Sequence, residues 1–221
     1  MKHLLFLFNI FFLAQTAGAY DQVEFKRQIS ALSFLNPAGV AASPERVYIS
    51  DSKADSLFVF DRSGKLLEKT GSRGAGKNSL SSPGAVAAAN GKAFIADTGN
   101  DRIQVAGPDG KFLWFFGSRG SGPGQLSRPE GIAAGADGRI YVADTGNDRV
   151  QIYTPEGIFL YGFSGTAPGE VSMRRPARVS VDPSDNVYVM DSGGSRILKF
   201  DQGGGFIKEI QARASAFCVD A

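Results

Sequence analysis

Four prolines and four aspartates recur in step along this chain. Pro37, Pro83, Pro129 and Pro176 stand 46, 46 and 47 residues apart, and Asp51, Asp97, Asp144 and Asp191 follow at 46, 47 and 47. The same phrase surrounds each aspartate: FIADTGNDRIQV from Phe94, YVADTGNDRVQI from Tyr141, YVMDSGGSRILK from Tyr188 and a looser YISDSKADSLFV from Tyr48. A period of this length, holding several short strands, is that of a β-propeller blade. The chain is therefore expected to be all-β, built of four-stranded antiparallel blades. In such a fold, function sits in the loops of one face rather than in one linear motif.

The second unit shows the plan most clearly. Ala85 to Ala89 is a strand of small residues, as suits the crowded centre of a propeller. Asn90-Gly91 signals a hairpin. Ala93 to Asp97 forms the next strand, Thr98-Gly99-Asn100-Asp101 turns the chain on residues that tolerate positive φ, and Ile103-Gln104-Val105 alternates as a third strand. Pro108-Asp109-Gly110 turns again, Phe112 to Phe116 is the outer strand, and Gly117 to Arg128 crosses to the next unit. High glycine content, 28 of 221, fits so many turns.

The blades are expected at 36–82, 83–128, 129–175 and 176–213, with the start of a fifth at 214–221. The segment 20–35 carries Phe25–Ile29, an outer strand without inner partners, placed to close a ring. Phe217 to Ala221 resembles the inner strand Val179 to Pro183. These ends predict an open arc of four blades, from a propeller of six when complete. Residues 1–19 read as a signal peptide: Lys2 and His3, an apolar run from Leu4 to Leu13, then Thr16-Ala17-Gly18-Ala19 before the cut. The expected location is secreted or periplasmic, with no membrane span after cleavage.

Cleavage removes His3, the single histidine, and leaves Cys218 as the single cysteine, so no internal disulfide or thiolate metal site is expected. Losing Lys2 turns 24 basic residues into 23 against 22 acidic ones, which gives no electrostatic case for nucleic acid.

The phrase [YF]-[IV]-x-D-[TS]-G-[NG]-x-R-[IV], with a lead-in such as Pro129-Glu130-Gly131-Ile132, resembles the NHL repeat from about Asn36 to Ala221. The first unit departs from it, with Lys53-Ala54 in place of Gly-Asn and Ser56 in the arginine slot. The resemblance implies a propeller that binds proteins, peptides, RNA or other polymers. Some relatives with related repeats are enzymes, including a peptide-amidating lyase and lactonase-like propellers. The lyase likeness implies histidine ligands that the chain lacks once the leader with His3 is removed.

Candidate sites follow. Asp97/Arg102, Asp144/Arg149 and Asp191/Arg196 are expected to be structural, each aspartate capping turn amides while its arginine braces it. The competing reading is a ring of charges around a ligand. Gly71 to Asn78 nearly matches a phosphate loop, but Asn78 lacks the hydroxyl and Pro83 stands where a helix should run, so a blade connector is expected. Arg73, Lys77, Arg119, Arg128, Arg174 and Arg175 lie on the connectors and are the candidate ligand-binding residues for an acidic peptide or anionic glycan; the alternative is a solvated loop surface. Phe112, Trp114 and Phe116 form either a sugar-stacking platform or ordinary blade packing. The expected role is a binding scaffold for a protein, peptide or glycan, a monomer when complete, without catalytic residues, cofactor or metal. The alternative is a propeller hydrolase or lyase with a central divalent-metal site.

Overall fold

The computed structural model describes residues 34–165 and 171–211. The leader at 1–19, the strand Phe25–Ile29 and the stub from Phe217 lie outside the described residues. Blade one comprises β1 (Pro37–Ala42), β2 (Arg46–Asp51), β3 (Ser56–Asp61) and β4 (Leu66–Thr70). Blade two comprises β5 (Val86–Ala89), β6 (Lys92–Asp97), β7 (Arg102–Ala106) and β8 (Phe112–Phe116). Blade three comprises β9 (Pro129–Ala134), β10 (Ile140–Asp144), β11 (Arg149–Tyr153) and β12 (Phe159–Phe163). Blade four comprises β13 (Pro176–Val181), β14 (Val187–Asp191), β15 (Arg196–Phe200) and β16 (Phe206–Gln211). Each blade is one antiparallel sheet with its strands in chain order, so this is the expected propeller architecture.

Alternation along the middle strands joins blade to blade. Tyr48, Leu57 and Val59 of blade one meet Val86, Ala93, Ile95 and Ala106 of blade two. The opposite faces of the blade-two strands, with Phe94, Ile103 and Val105, meet Ile132, Ile140, Val142 and Tyr153. Tyr141, Val150 and Ile152 then meet Val179, Val187, Val189 and Leu198. Both faces of a middle strand are therefore buried, which is why its sequence is nearly all apolar. Phe112, Trp114 and Phe116 pack between blades rather than forming a platform: Phe116 is buried and its ring lies 4.8 Å from that of Tyr153. The other side of the same strand, Leu113 and Phe115, faces solvent.

The inner strands pack in order, β1 on β5, β5 on β9 and β9 on β13. Backbones touch there. A Cβ added to Gly39 would stand 2.7 Å from the Ala85 Cα, and one added to Gly131 would stand 2.8 Å from the Arg178 Cα. Blades four and one do not pack in this way. They approach through one side chain, with the Arg178 Nη2 at 3.5 Å from the Ala38 carbonyl. Among the described residues the arc is open between these two blades.

Candidate functional site

The connectors 71–82 and 117–128 and the turns after β2, β6, β10 and β14 share one face, and a single polar device organises it. Asp97, fully buried, accepts the Ser81 backbone amide at 2.7 Å on Oδ1, and on Oδ2 the Asn100 Nδ2 and the Arg102 Nε, both at 2.8 Å. Arg102 then donates to the carbonyls of Ala75, Gly76 and Ser79 on the preceding connector. The unit repeats one blade on. Asp144 takes Ser127, Asn147 and Arg149, and Arg149 holds Ser121, Gly122 and Gln125. In blade four Asp191 takes Arg174 and Arg196.

The sequence reading had each aspartate capping its own turn. That occurs at Asp51 alone, which accepts the Lys53 and Ala54 amides together with those of Leu35 and Asn36. With Ser56 in the slot that holds arginine in the other blades, this carboxylate is served by backbone donors instead. At Asp97, Asp144 and Asp191 the backbone amide comes from the connector, from Ser81, Ser127 and Arg174, and the 3-10 turns Thr98–Asn100 and Thr145–Asn147 carry no side-chain cap. Burial pushes the Asp97 carboxyl up, against the downward pull of Asn100, the Ser81 amide and Arg102.

The turn residue at positive φ also differs from expectation. It is neither Gly99 nor Asn100 but Asp101, at φ 54, with Asp55, Asp148 and Ser195 in the same conformation. Asp tolerates this region better than most residues. Gly99 is needed for closeness: an added Cβ would lie 2.8 Å from the Ser81 carbonyl. The left-handed aspartates have a second use. Asp55, Asp101 and Asp148 accept the amides of Ser82, Arg128 and Arg175, each at 2.7 Å and each 27 residues on. Thr98 and Thr145 add hydroxyl bonds to the Pro129 and Pro176 carbonyls at 2.6 and 2.7 Å. Each turn thus anchors the lead-in to the following blade.

Arg119 and Arg128 are brought together. With Ser82, Thr98, Asp101 and Ser127 they line an open cleft of about 410 Å³ between blades two and three. Their side chains are 90% and 68% exposed, and their carboxylate neighbours stand off, Asp101 at 3.9 Å from Arg119 and Glu130 at 3.7 Å from Arg128. Arg73 and Lys77 are exposed one connector earlier, and Arg174 and Arg175 one connector later. The six candidate cations therefore follow one face but do not converge on a single point. Gly71 to Asn78 is part of a connector, closed by the Arg73–Leu80 bridge. It turns the Ala75 and Gly76 carbonyls onto Arg102, the reverse polarity of a phosphate cradle.

Sequence reasoning passed over Arg178. It occupies the inner-strand position held by Gly39, Ala85 and Gly131 in the other blades, and that break in a series of small residues was its available signal. Among the described residues no group of three or more His, Cys, Asp or Glu is placed to hold a metal ion.

A family model described as the NHL repeat matches residues 126–153 and 173–200. Each match runs from the end of a connector to the third strand of blade three or four. No curated protein matches the chain. Among solved structures it is similar to a streptogramin B lyase, with TM-score 0.60 and 19% identity over 79% of this chain and 54% of the other. It is also similar to a catalytically inactive virginiamycin B lyase from Staphylococcus aureus with quinupristin, at 0.62 and 14% over 81% and 56%. Hydrazine synthase of Kuenenia stuttgartiensis matches at 0.62 and 15% over 89% and 52%. At these identities the likeness shows the fold. The chain spans a little over half the length of the structures it matches.

Proposed function

We propose, for a chain that carries NHL repeats folded into propeller blades, that it is an exported scaffold whose connector face binds an acidic protein, peptide or glycan. The observation that carries this reading is the cleft between blades two and three. There Arg119 and Arg128 stand largely in solvent beside the hydroxyls of Ser82, Thr98 and Ser127. Structural arginines in this chain are sequestered by a carboxylate at 2.8 Å and by connector carbonyls. Arg119 and Arg128 keep their donors for an incoming anion, and the Ser82 and Ser127 hydroxyls add short-range donors and acceptors of the kind that orient a sugar or peptide, while Thr98, whose proton goes to the Pro129 carbonyl, offers an acceptor. Arg73 and Lys77 on one side and Arg174 and Arg175 on the other extend the cationic track by one blade each way, which suits a ligand with repeated acidic groups. Ligand capture requires no residue of the buried Asp–Arg units, whose role is to hold the connectors in place.

The test is binding to an array of anionic glycans and acidic peptides, wild type against Arg119→Gln/Arg128→Gln, at two ionic strengths. Expected is a retained fold and weakened binding, with the difference shrinking as salt rises, since exposed charges are screened over about 10 Å at 0.1 M. Binding unchanged by the double substitution would overturn the assignment of this face.

A further inference from the structure

We infer that Arg178 is an oxyanion-binding residue at the axis of the propeller, separate from the cleft on the connector face. At the same register position Gly39, Ala85 and Gly131 are small because the next inner strand lies against them. A Cβ on Gly39 would meet the Val86 amide nitrogen at 2.7 Å, and one on Gly131 would meet the Ala177 carbonyl at 2.9 Å. In blade four that position carries the longest side chain available to it. Its guanidinium reaches from β13 toward β1, donating to its own Ala177 carbonyl at 2.9 Å and to Ala38 of blade one at 3.5 Å, the outer limit of a hydrogen bond.

Two facts set Arg178 apart from Arg102, Arg149 and Arg196. Arg102, Arg149 and Arg196 each hold a carboxylate at 2.8 Å, whereas no carboxylate of the described residues forms an ion pair with Arg178. It is half-buried, so its charge is only partly compensated by water. The inner strand it reaches toward, β1, presents Ala38, Val40 and Ala42, which offer no competing charge, and Glu130 of β9 is turned to Arg128. A guanidinium with two of its five donors on carbonyls has a fork left for the two oxygens of a carboxylate or phosphate. The position is two residues into β13 from its connector end at Pro176.

The experiment follows arginine Nε–Hε signals by NMR during titration with succinate and, in a second arm, with inorganic phosphate. Expected is one signal, absent from the Arg178→Ala spectrum, that shifts saturably; the arm that saturates at lower concentration tells whether carboxylates or phosphates fit better. Arg178→Lys, which has no Nε–Hε signal and is followed through the backbone amides of Ala38 and Ala177, keeps the charge without the fork and should bind about tenfold more weakly. Lys111→Gln, on an exposed turn, should leave the titration unchanged. If Arg178→Ala does not fold, the lysine variant decides, and binding equal to wild type refutes the fork. No saturable shift with either anion, or one that survives in Arg178→Ala, overturns the inference.

Discussion

Replacing Asp144 with alanine exposes the energetics of the whole connector face. The carboxylate is fully buried and serves four donors: the Ser127 amide at 2.7 Å, Asn147 and the Arg149 Nε at 2.8 Å, and Gln151 at 3.1 Å. A turn aspartate capping buried amides would cost about 1–3 kcal/mol on removal. Here the loss also strands a guanidinium, and breaking one half of a buried pair costs about 3–5 kcal/mol. Arg149 is 19% exposed, so water relieves part of its charge. We therefore place the loss at about 3 kcal/mol, near the bottom of that range. For a chain of this size that lowers the melting temperature by about 6–12 °C. The assay is urea denaturation together with hydrogen exchange. The amides of Gly120 and Leu126, bonded within the connector that Arg149 holds, should lose protection first. Asp144→Ala/Arg149→Met, which removes both charges, should be more stable than Asp144→Ala alone. A single variant within about 1 kcal/mol of wild type would refute the reasoning, since it leaves no room for a stranded cation. Loss of a ligand at unchanged melting temperature would make Asp144 a binding residue instead.

Gly131→Ala should destabilise by about 1–3 kcal/mol by overpacking, because its new Cβ would meet backbone of blade four that no rotamer change can move; denaturation equal to wild type would show that blades three and four are not in backbone contact. Arg119→Gln/Arg128→Gln should change stability by less than about 0.5 kcal/mol per site, measured by the same denaturation, since both side chains are exposed and loosely paired. Desolvation by burial pushes Tyr141 from 10.0 up to about 12. The folded state thus holds this proton longer than the unfolded state. Its contribution is complete below pH 10 and is lost as pH rises toward about 12, up to about 2–3 kcal/mol. Urea melts across this window, with Tyr141→Phe as the comparison that lacks the slope, check it.

Local features were legible in the sequence because their causes are local. Phe112 to Phe116 was read as the outer strand and is β8 with those bounds, and Ala93 to Asp97 differs from β6 by one residue. Asp97, Arg102 and their equivalents were read as pairs five residues apart, and the two-strand register places them opposite each other. Less legible was what each aspartate does with its other oxygen. Ser127 lies 17 residues before Asp144, across a connector whose path no turn signal specifies. The left-handed aspartates Asp55, Asp101 and Asp148 recur as regularly as the others, yet their use appears only when the following blade brings its lead-in amide to them.

By itself the sequence determined the period, the number of strands in each described blade and the residues that turn between them. These depend on backbone preferences and on alternation over a few positions, which every repeat states again. Tertiary structure decided how the paired charges are enclosed and which other charges stay available. Arg102, Arg149 and Arg196 are the same residue type as Arg119, Arg128 and Arg178. Each of the first three faces a buried carboxylate of its own blade at 2.8 Å, and carbonyls of the preceding connector, brought up by the packing of neighbouring blades, enclose it further. Contacts between blades are set by strand twist and by the space left where inner strands meet, as at Gly39 and Gly131, and residues in contact there are separated by a whole repeat of the chain.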